Sequence, residues 1–289
     1  MLRSKLEAPL PVTVNGTCRL CGSEQVIPRE RRSQYRYVQC ARCSLAFVAN
    51  PPSEDESVEQ YNRGVSSKLA YYRMAAPADA RSFTTLLRLL EDKTCGRTIL
   101  DVGCNIGTFV NVAQSRGWAA AGVDVNVEAV EFGKRQYGLN LMTLDDFDAR
   151  PDLQFDVIHS SDTVEHFTDP ASVMRTYAHR LRFGGLLLVS TPNYDSRLCK
   201  MFQLKPTEHL FLFNDRSLCF LLRKINLEVI ETGVFDRCRN VSAMFESTTF
   251  DRLPLLQRVF KVLYRLRPEL LLRLNGGENI VAIARMPQT

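Results

Sequence analysis

Apolar residues fall along this chain in two rhythms. In the first fifty residues they occur in short strand-like runs, at Gln34 to Gln39 and Leu45 to Val48. From residue 98 onward they bunch into segments that read as strands at 98–102, which is short and buried, and at 119–124, 139–144, 155–158, 186–190, 227–235 and 280–284. Segments with helical spacing lie between them. One starts near Thr108, one covers 127–137 and stops at Gly138, and others cover 170–181 and 217–224. Alternating strands and helices predict an α/β domain. Ahead of it, 58–92 reads as a helix that turns Leu86, Leu87, Leu89 and Leu90 toward a core. An insertion over 236–275 separates the last two strands. Leu256, Val259, Phe260 and Leu263 recur there at helical spacing as a packed face, and Arg258, Lys261 and Arg265 mark another face. Internal repeats and low-complexity tracts are absent.

Composition narrows the class. The 289 residues are 45% hydrophobic and 24% charged, enough for one large α/β domain and a small module. The net charge of +5 permits an anionic partner without demanding nucleic acid. The first residues lack the apolar core of a leader, and no run approaches the roughly 18 apolar residues of a membrane span. Nine cysteines is an odd number, and four of them are grouped in pairs, so a reducing cytoplasm with a metal site is expected over a disulfide framework.

Those pairs are Cys18-x-x-Cys21 and Cys40-x-x-Cys43. Two such knuckles offer four thiolates to one tetrahedral structural zinc ion, with no position left open for catalysis. Two disulfides or four free thiols are the competing readings. The segment over 15–50 is therefore expected to be a zinc ribbon whose metal supplies its folding energy, with a core separate from the larger domain.

The most informative stretch joins the strand at 98–102 to the helix at Thr108. It holds Asp101, Gly103, Cys104, Asn105 and Gly107, and the next strand ends in Asp124-Val125. Glycines at 103 and 107 allow a tight turn and close approach to bare backbone. The helix N-terminus presents N–H groups, and the acid after the second strand is placed for a ribose diol. Dinucleotide enzymes use G-x-G-x-x-G, which is absent at this turn. The stretch instead resembles motif I of class I S-adenosylmethionine (SAM) methyltransferases, D-x-G-x-G-x-G, with Asn105 at the middle glycine. Asn tolerates the left-handed conformation, so the turn survives.

With Ser161-Asp-Thr-Val-Glu165-His166 after the fourth strand, Thr191-Pro192-Asn193 after the fifth and Glu208-His209 further on, the chain from Cys18 to Arg285 resembles bacterial methyltransferases related to the ubiquinone-pathway O-methyltransferases, most weakly over 236–275. The resemblance implies a seven-stranded Rossmann-like sheet with an antiparallel final pair and a small four-cysteine zinc ribbon ahead of it. The domains expected are a ribbon at 15–50, a linker and helical lid at 51–94, and a SAM domain at 95–289. SAM is implied as cofactor, with Asp124 on the ribose, Asp145 or Asp146 at the adenine, and Ser161 at the rim of the fourth strand.

Methyl transfer from a sulfonium needs alignment and, for a hydroxyl acceptor, a base. His166 and His209 are the candidate bases, with Glu165 beside them. His159 and His179 are expected to be structural. The resemblance also implies a divalent-metal set at Asp162, Glu165 and His166, in which an Asp replaces the first Glu of E-x-x-E-H. The reading is O-methylation of a sugar, glycan or small secondary metabolite. An rRNA methyltransferase and a non-catalytic ribbon protein with a degenerate SAM fold are the alternatives. The RNA reading lacks a basic arm and the [DN]-P-P-[YF] signature. The basic helix over 255–267 is a candidate contact for an anionic lipid or carrier. Acceptor identity and oligomeric state are not legible.

Overall fold

The computed structural model describes residues 16–52, 65–247, 254–273 and 275–288. Strands β1 (Val26–Arg32), β2 (Tyr35–Cys40) and β3 (Ala46–Val48) form an antiparallel meander. Helix α1 (Val65–Glu91) follows and buries Leu86, Leu87 and Leu90, with Leu89 partly buried. Residues 58–64 of the expected helix lie outside the described residues.

The larger domain then alternates as its pattern predicts. It runs β4 (Thr98–Val102), α2 (Thr108–Ser115), β5 (Ala119–Val123), α3 (Val127–Tyr137), β6 (Leu141–Met142) and α4 (Leu144–Asp148). It continues with β7 (Phe155–Ser161), α5 (Pro170–Ala178), β8 (Leu181–Pro192), α6 (Arg197–Phe202), β9 (Phe211–Leu212) and α7 (Asp215–Lys224). The last part is β10 (Glu228–Phe235), β11 (Cys238–Asn240), α8 (Val241–Ser247), α9 (Pro254–Leu266), β12 (Leu271–Arg273) and β13 (Asn279–Arg285).

Seven strands form the main sheet in the order β10-β13-β8-β7-β4-β5-β6. β13 is antiparallel to both its neighbours, and the remaining pairs are parallel. Successive side chains of a strand face opposite sides of a sheet. Ile99 accordingly joins the core under α1 and α2 with Phe109 and Val157, while Leu100 joins the opposite core with Ile158 and Leu187. With this order the carboxyl ends of β4, β5 and β7 lie side by side, where ligands sit in open α/β sheets.

Several boundaries differ from expectation, each for a local reason. The third strand shrinks to Leu141–Met142 because Thr143 caps α4 in a reciprocal capping box with Asp146. The fifth strand lengthens to Leu181–Pro192, and the preceding helix ends at Ala178. The insertion is not purely helical: β11 pairs antiparallel with β12 and closes it. Val259 is exposed rather than packed, because α9 meets α8 through Leu263 and Tyr264 against Phe245. The side chains of Leu256 and Phe260 lie outside the described residues.

The largest correction concerns the ribbon. Its core is not separate. β3 pairs antiparallel with β9, Ala46 opposite Leu212 and Phe47 opposite Phe211, so the ribbon sheet takes its fourth strand from the larger domain. Leu20, Val38, Leu45 and Phe47 share one buried cluster with Phe211, Phe213, Leu218 and Leu222. Full burial of each large side chain contributes roughly 1.5–3 kcal/mol, against a typical domain stability of about 5–15 kcal/mol. Docking therefore carries a substantial share of the ribbon's stability. Among the described residues no helix is long and apolar enough to cross a membrane.

Candidate active site

The two Cys-x-x-Cys turns have the same geometry. In the first, Cys18 N–H donates to Ser23 O and Gly22 N–H to Cys18 O; in the second, Cys40 N–H donates to Leu45 O and Ser44 N–H to Cys40 O. Gly22 (φ 72°) and Ser44 (φ 65°) occupy matching left-handed positions. The turns bring four sulfurs together, with Cys18 Sγ 3.6 Å from Cys43 Sγ and Cys21 Sγ 3.4 Å from Cys40 Sγ. All four are free cysteines, and those separations are well beyond an S–S bond of about 2.05 Å. Zinc held tetrahedrally at about 2.3 Å from each thiolate sets sulfurs roughly 3.8 Å apart, so the cluster fits that ion with slight opening.

At the carboxyl end of β4 the chain turns as expected. Gly103 (φ 79°), Asn105 (φ 51°) and Gly107 (φ 83°) are all left-handed, so Asn105 does the conformational work of the missing glycine. A side chain at Gly103 would collide with Thr163, since a Cβ there would lie 2.3 Å from Thr163 Oγ1. The turn is tied to β5: Gly103 and Cys104 N–H both donate to Val123 O. Asn105 N–H donates to Asp124 Oδ2 at 2.8 Å, and Asn126 N–H donates to Asp124 Oδ1 at 2.8 Å. Burial raises the Asp124 carboxyl above its ordinary range, and those two N–H donors oppose the rise. Cys104 is buried, and burial pushes its thiol well up, so it stays protonated. Val125 is exposed just beyond Asp124. Asp146 is occupied by Thr143 in the helix cap, whereas Asp145 is exposed on the same turn.

The segment after β7 carries the remaining candidates. Ser161 Oγ is 2.8 Å from His159 Nε2, and His159 Nδ1 is 2.7 Å from Asp101 Oδ1. Thr163 donates to Ser161 O and stands against Gly103. A 3-10 turn over Val164–His166 then buries Glu165 completely and leaves His166 exposed. Glu165 accepts from Thr191 Oγ1 at 2.8 Å, while its Oε1 is buried without a hydrogen-bond partner among the described residues. Burial raises Glu165 from 4.5 to about 7. His209 is buried, with its Nδ1 2.8 Å from Gln203 O, and desolvation holds it well below the usual imidazole value. The His166 and His209 rings meet edge-on at 5.0 Å. Glu165, His166 and His209 offer donor atoms within 4.8 Å of one another, so the three candidate catalytic residues converge.

Asp162 does not join them. It is left-handed (φ 48°), accepts from Asn279 Nδ2 at 2.7 Å and pairs with Arg237, which also holds Asp79 at 2.5 Å. The metal set expected at Asp162, Glu165 and His166 is therefore corrected: His209 stands where Asp162 was expected. The left-handed backbone at Asp162 and its pairing with Asn279 and Arg237 take its carboxylate away from Glu165 and His166. His159 is buried, as expected of a structural histidine, and Arg237 is a partner of Asp162 that no local pattern marks. That His159 and Ser161 share a strand face was legible from their spacing of two; the Asp101 partner depends on strand pairing and was not.

The sequence matches a family model described as a methyltransferase domain over residues 72–232. A ubiquinone biosynthesis O-methyltransferase of Aeromonas salmonicida is 32% identical over 105 residues, which is 34% of this chain and 44% of that protein. Phosphoethanolamine N-methyltransferase 1 of Arabidopsis thaliana is 34% identical over 104 residues, 33% of this chain and 21% of that protein. The matched stretch thus spans less than half the length of these relatives. The fold resembles a SAM-dependent methyltransferase from Archaeoglobus fulgidus, with a TM-score of 0.50 at 18% identity, covering 70% of this chain and 92% of that one. The family model covers more than half of the 289 residues, and the chain belongs to the methyltransferase domain family.

Proposed function

We propose that this chain is a SAM-dependent methyltransferase acting on a hydroxyl of a small molecule, of the sugar, glycan or secondary-metabolite class. One observation carries the reading: a left-handed turn at the carboxyl end of β4 whose Asn105 N–H is bonded to Asp124, the acid that directly follows β5. SAM, when bound, supplies an electrophilic methyl group on a sulfonium. The Gly103–Gly107 turn approaches a ligand with bare backbone. Asp124 keeps acceptor capacity for a ribose diol, Val125 offers an apolar contact, and Asp145 offers an acceptor for an adenine amino group. Isothermal titration calorimetry with S-adenosylhomocysteine tests the reading. Asp124→Ala should weaken binding by about 1–3 kcal/mol through lost charge-assisted hydrogen bonds. Unchanged affinity in that variant would overturn the assignment.

Oxygen is favoured as the acceptor atom by the Glu165, His166 and His209 cluster, because a hydroxyl must shed a proton and Glu165 titrates near neutrality. The same donors suit a divalent cation, and the unpartnered Glu165 Oε1 favours that second reading. Elemental analysis separates the two: one equivalent of zinc per chain assigns metal to the cysteines alone, and a further divalent ion lost in Glu165→Gln assigns the cluster. The cysteine-bound zinc would act as a cross-link. Nine cysteines, four of them in two Cys-x-x-Cys pairs, fit a reducing cytoplasm. On α9, Val259, Val262 and Leu266 are exposed among Arg258, Lys261 and Arg265, which supports contact with an anionic lipid surface. Sedimentation with phosphatidylglycerol vesicles but not phosphatidylcholine vesicles is the expected outcome; equal behaviour with both removes this contact.

A further inference from the structure

Three polar side chains lie in a line across two strands of the main sheet. Asp101 on β4 and His159 on β7 are opposite each other in parallel register, and Ser161 lies two residues further along the same face of β7. Asp101 and His159 are buried, and Ser161 is half-buried at the rim. His159 is fixed from its sides as well: the Phe109 ring stacks on it at 3.7 Å and 5°, and Phe83 meets it edge-on at 5.7 Å. Phe109 belongs to the first turn of α2, the helix opened by Gly107. The imidazole therefore packs against the helix that the Gly107 turn opens and reaches the Ser161 rim on its other side.

The tautomer of His159 sets the direction of this chain. The Asp101 carboxyl oxygen accepts when His159 Nδ1 carries the proton. In that tautomer Nε2 is bare and accepts the Ser161 hydroxyl proton. The Ser161 proton is thereby directed inward, and its oxygen lone pairs remain for whatever stands at the rim. We propose that Asp101, His159 and Ser161 form a hydrogen-bond relay that presents the Ser161 oxygen as an acceptor to the α-ammonium group of the cofactor's amino-acid half. His159 is then a positioning residue acting through Ser161. The inference rests on the SAM reading above.

The same three residue types serve as a nucleophilic triad in hydrolases, where N–H groups beside the serine hold the oxyanion. Here the N–H following Ser161, that of Asp162, is spent on Ser190 O at 2.9 Å. Asp101 also continues directly into the Gly103 turn, and Thr163 joins Ser161 O to that turn by standing against Gly103. The strand order β7-β4-β5-β6 puts the proposed ribose contact at the end of β5 and the adenine contact beyond β6, so the rim of β7, where Ser161 stands, is left to the cofactor's amino-acid half.

Two probes separate positioning from general structure. S-adenosylhomocysteine carries the ammonium group, and 5′-methylthioadenosine has the same nucleoside without it. By calorimetry, Ser161→Ala should weaken S-adenosylhomocysteine about tenfold and leave methylthioadenosine unchanged. His159→Phe should reproduce that selective loss, and the double variant should lose no more than either single one, as expected for residues in one chain. His159→Gln, which returns an acceptor toward Ser161, should recover part of the affinity. If the wild type binds both probes and Ser161→Ala binds them equally well, the relay is overturned and the SAM reading stands. Equal weakening of both probes in Ser161→Ala marks a structural role and also overturns the relay. If the wild type binds neither probe, the SAM reading fails and takes the relay with it. Ser161→Ala removes one hydroxyl at the rim, so the test survives if His159→Phe fails to fold.

Discussion

At the scale of single residues, burial sets the chemistry of Glu165 and His209 in opposite directions. Glu165 is raised from 4.5 to about 7, so the folded chain keeps a proton that the unfolded chain releases near 4.5. Its contribution to stability therefore falls as pH rises across that window, by about 3 kcal/mol in all. His209 is held well below 6.5, so the unfolded chain takes up a proton that the folded chain refuses. That contribution is present above pH 6.5 and is lost as pH falls below it. The two slopes offset each other between about pH 5 and 6.5. Urea unfolding across this range should show Glu165→Gln tilting the profile toward greater stability at higher pH, and His209→Gln tilting it the other way. Identical profiles for all three proteins would exclude buried titration. If Glu165 takes the acceptor proton, the methyl-transfer rate with the true acceptor should rise through about pH 7 and lose that limb in Glu165→Gln.

At the scale of elements, the β4 turn shows how much was legible. Its left-handed positions were readable because Gly103, Asn105 and Gly107 are residue types that tolerate them. Asn105→Ala should cost about 1 kcal/mol in thermal unfolding, while Asn105→Gly should be tolerated, because only the alanine is strained at φ 51°. Equal loss in both would place the role in the side-chain bond to Gly103 O instead. The seven strands were equally readable as apolar segments, and their order followed from resemblance. What failed lay where tertiary contacts overrule local pattern. Asp162 pairs with Arg237 from the far end of β10, and α9 leaves Val259 exposed because its partner helix meets only one side. Neither is encoded in a window of ten residues.

For the whole molecule, the ribbon is a brace for the proposed acceptor side. Val48 N–H of β3 donates to Leu210 O, and Leu210 N–H donates to Glu165 O. The ribbon thereby reaches Glu165 through one residue, and that residue is the neighbour of His209. Cys43→Ser, or a strong chelator, should lower the melting temperature of the entire chain rather than release a small independent module. It should also reduce methyl transfer more than it reduces S-adenosylhomocysteine affinity, because the Gly103 turn and Asp124 have no direct hydrogen bond to the ribbon among the described residues. A separate low-temperature transition with unchanged main melting would restore the picture of two independent cores.

The strand shared between ribbon and sheet also sets an order in time. Residue 46 pairs with residue 212, so the N-terminal meander leaves the ribosome long before its fourth strand exists. At about 5–20 residues per second, that interval is on the order of ten seconds. Through it β3 is an open edge rich in apolar side chains, the kind of surface that recruits foreign strands. The closing contact is also among the most distant in the chain, and such contacts form slowly. Early metal capture would hold the meander in register while it waits. Zinc supply during synthesis would then govern the yield of soluble protein more strongly than zinc supplied afterwards.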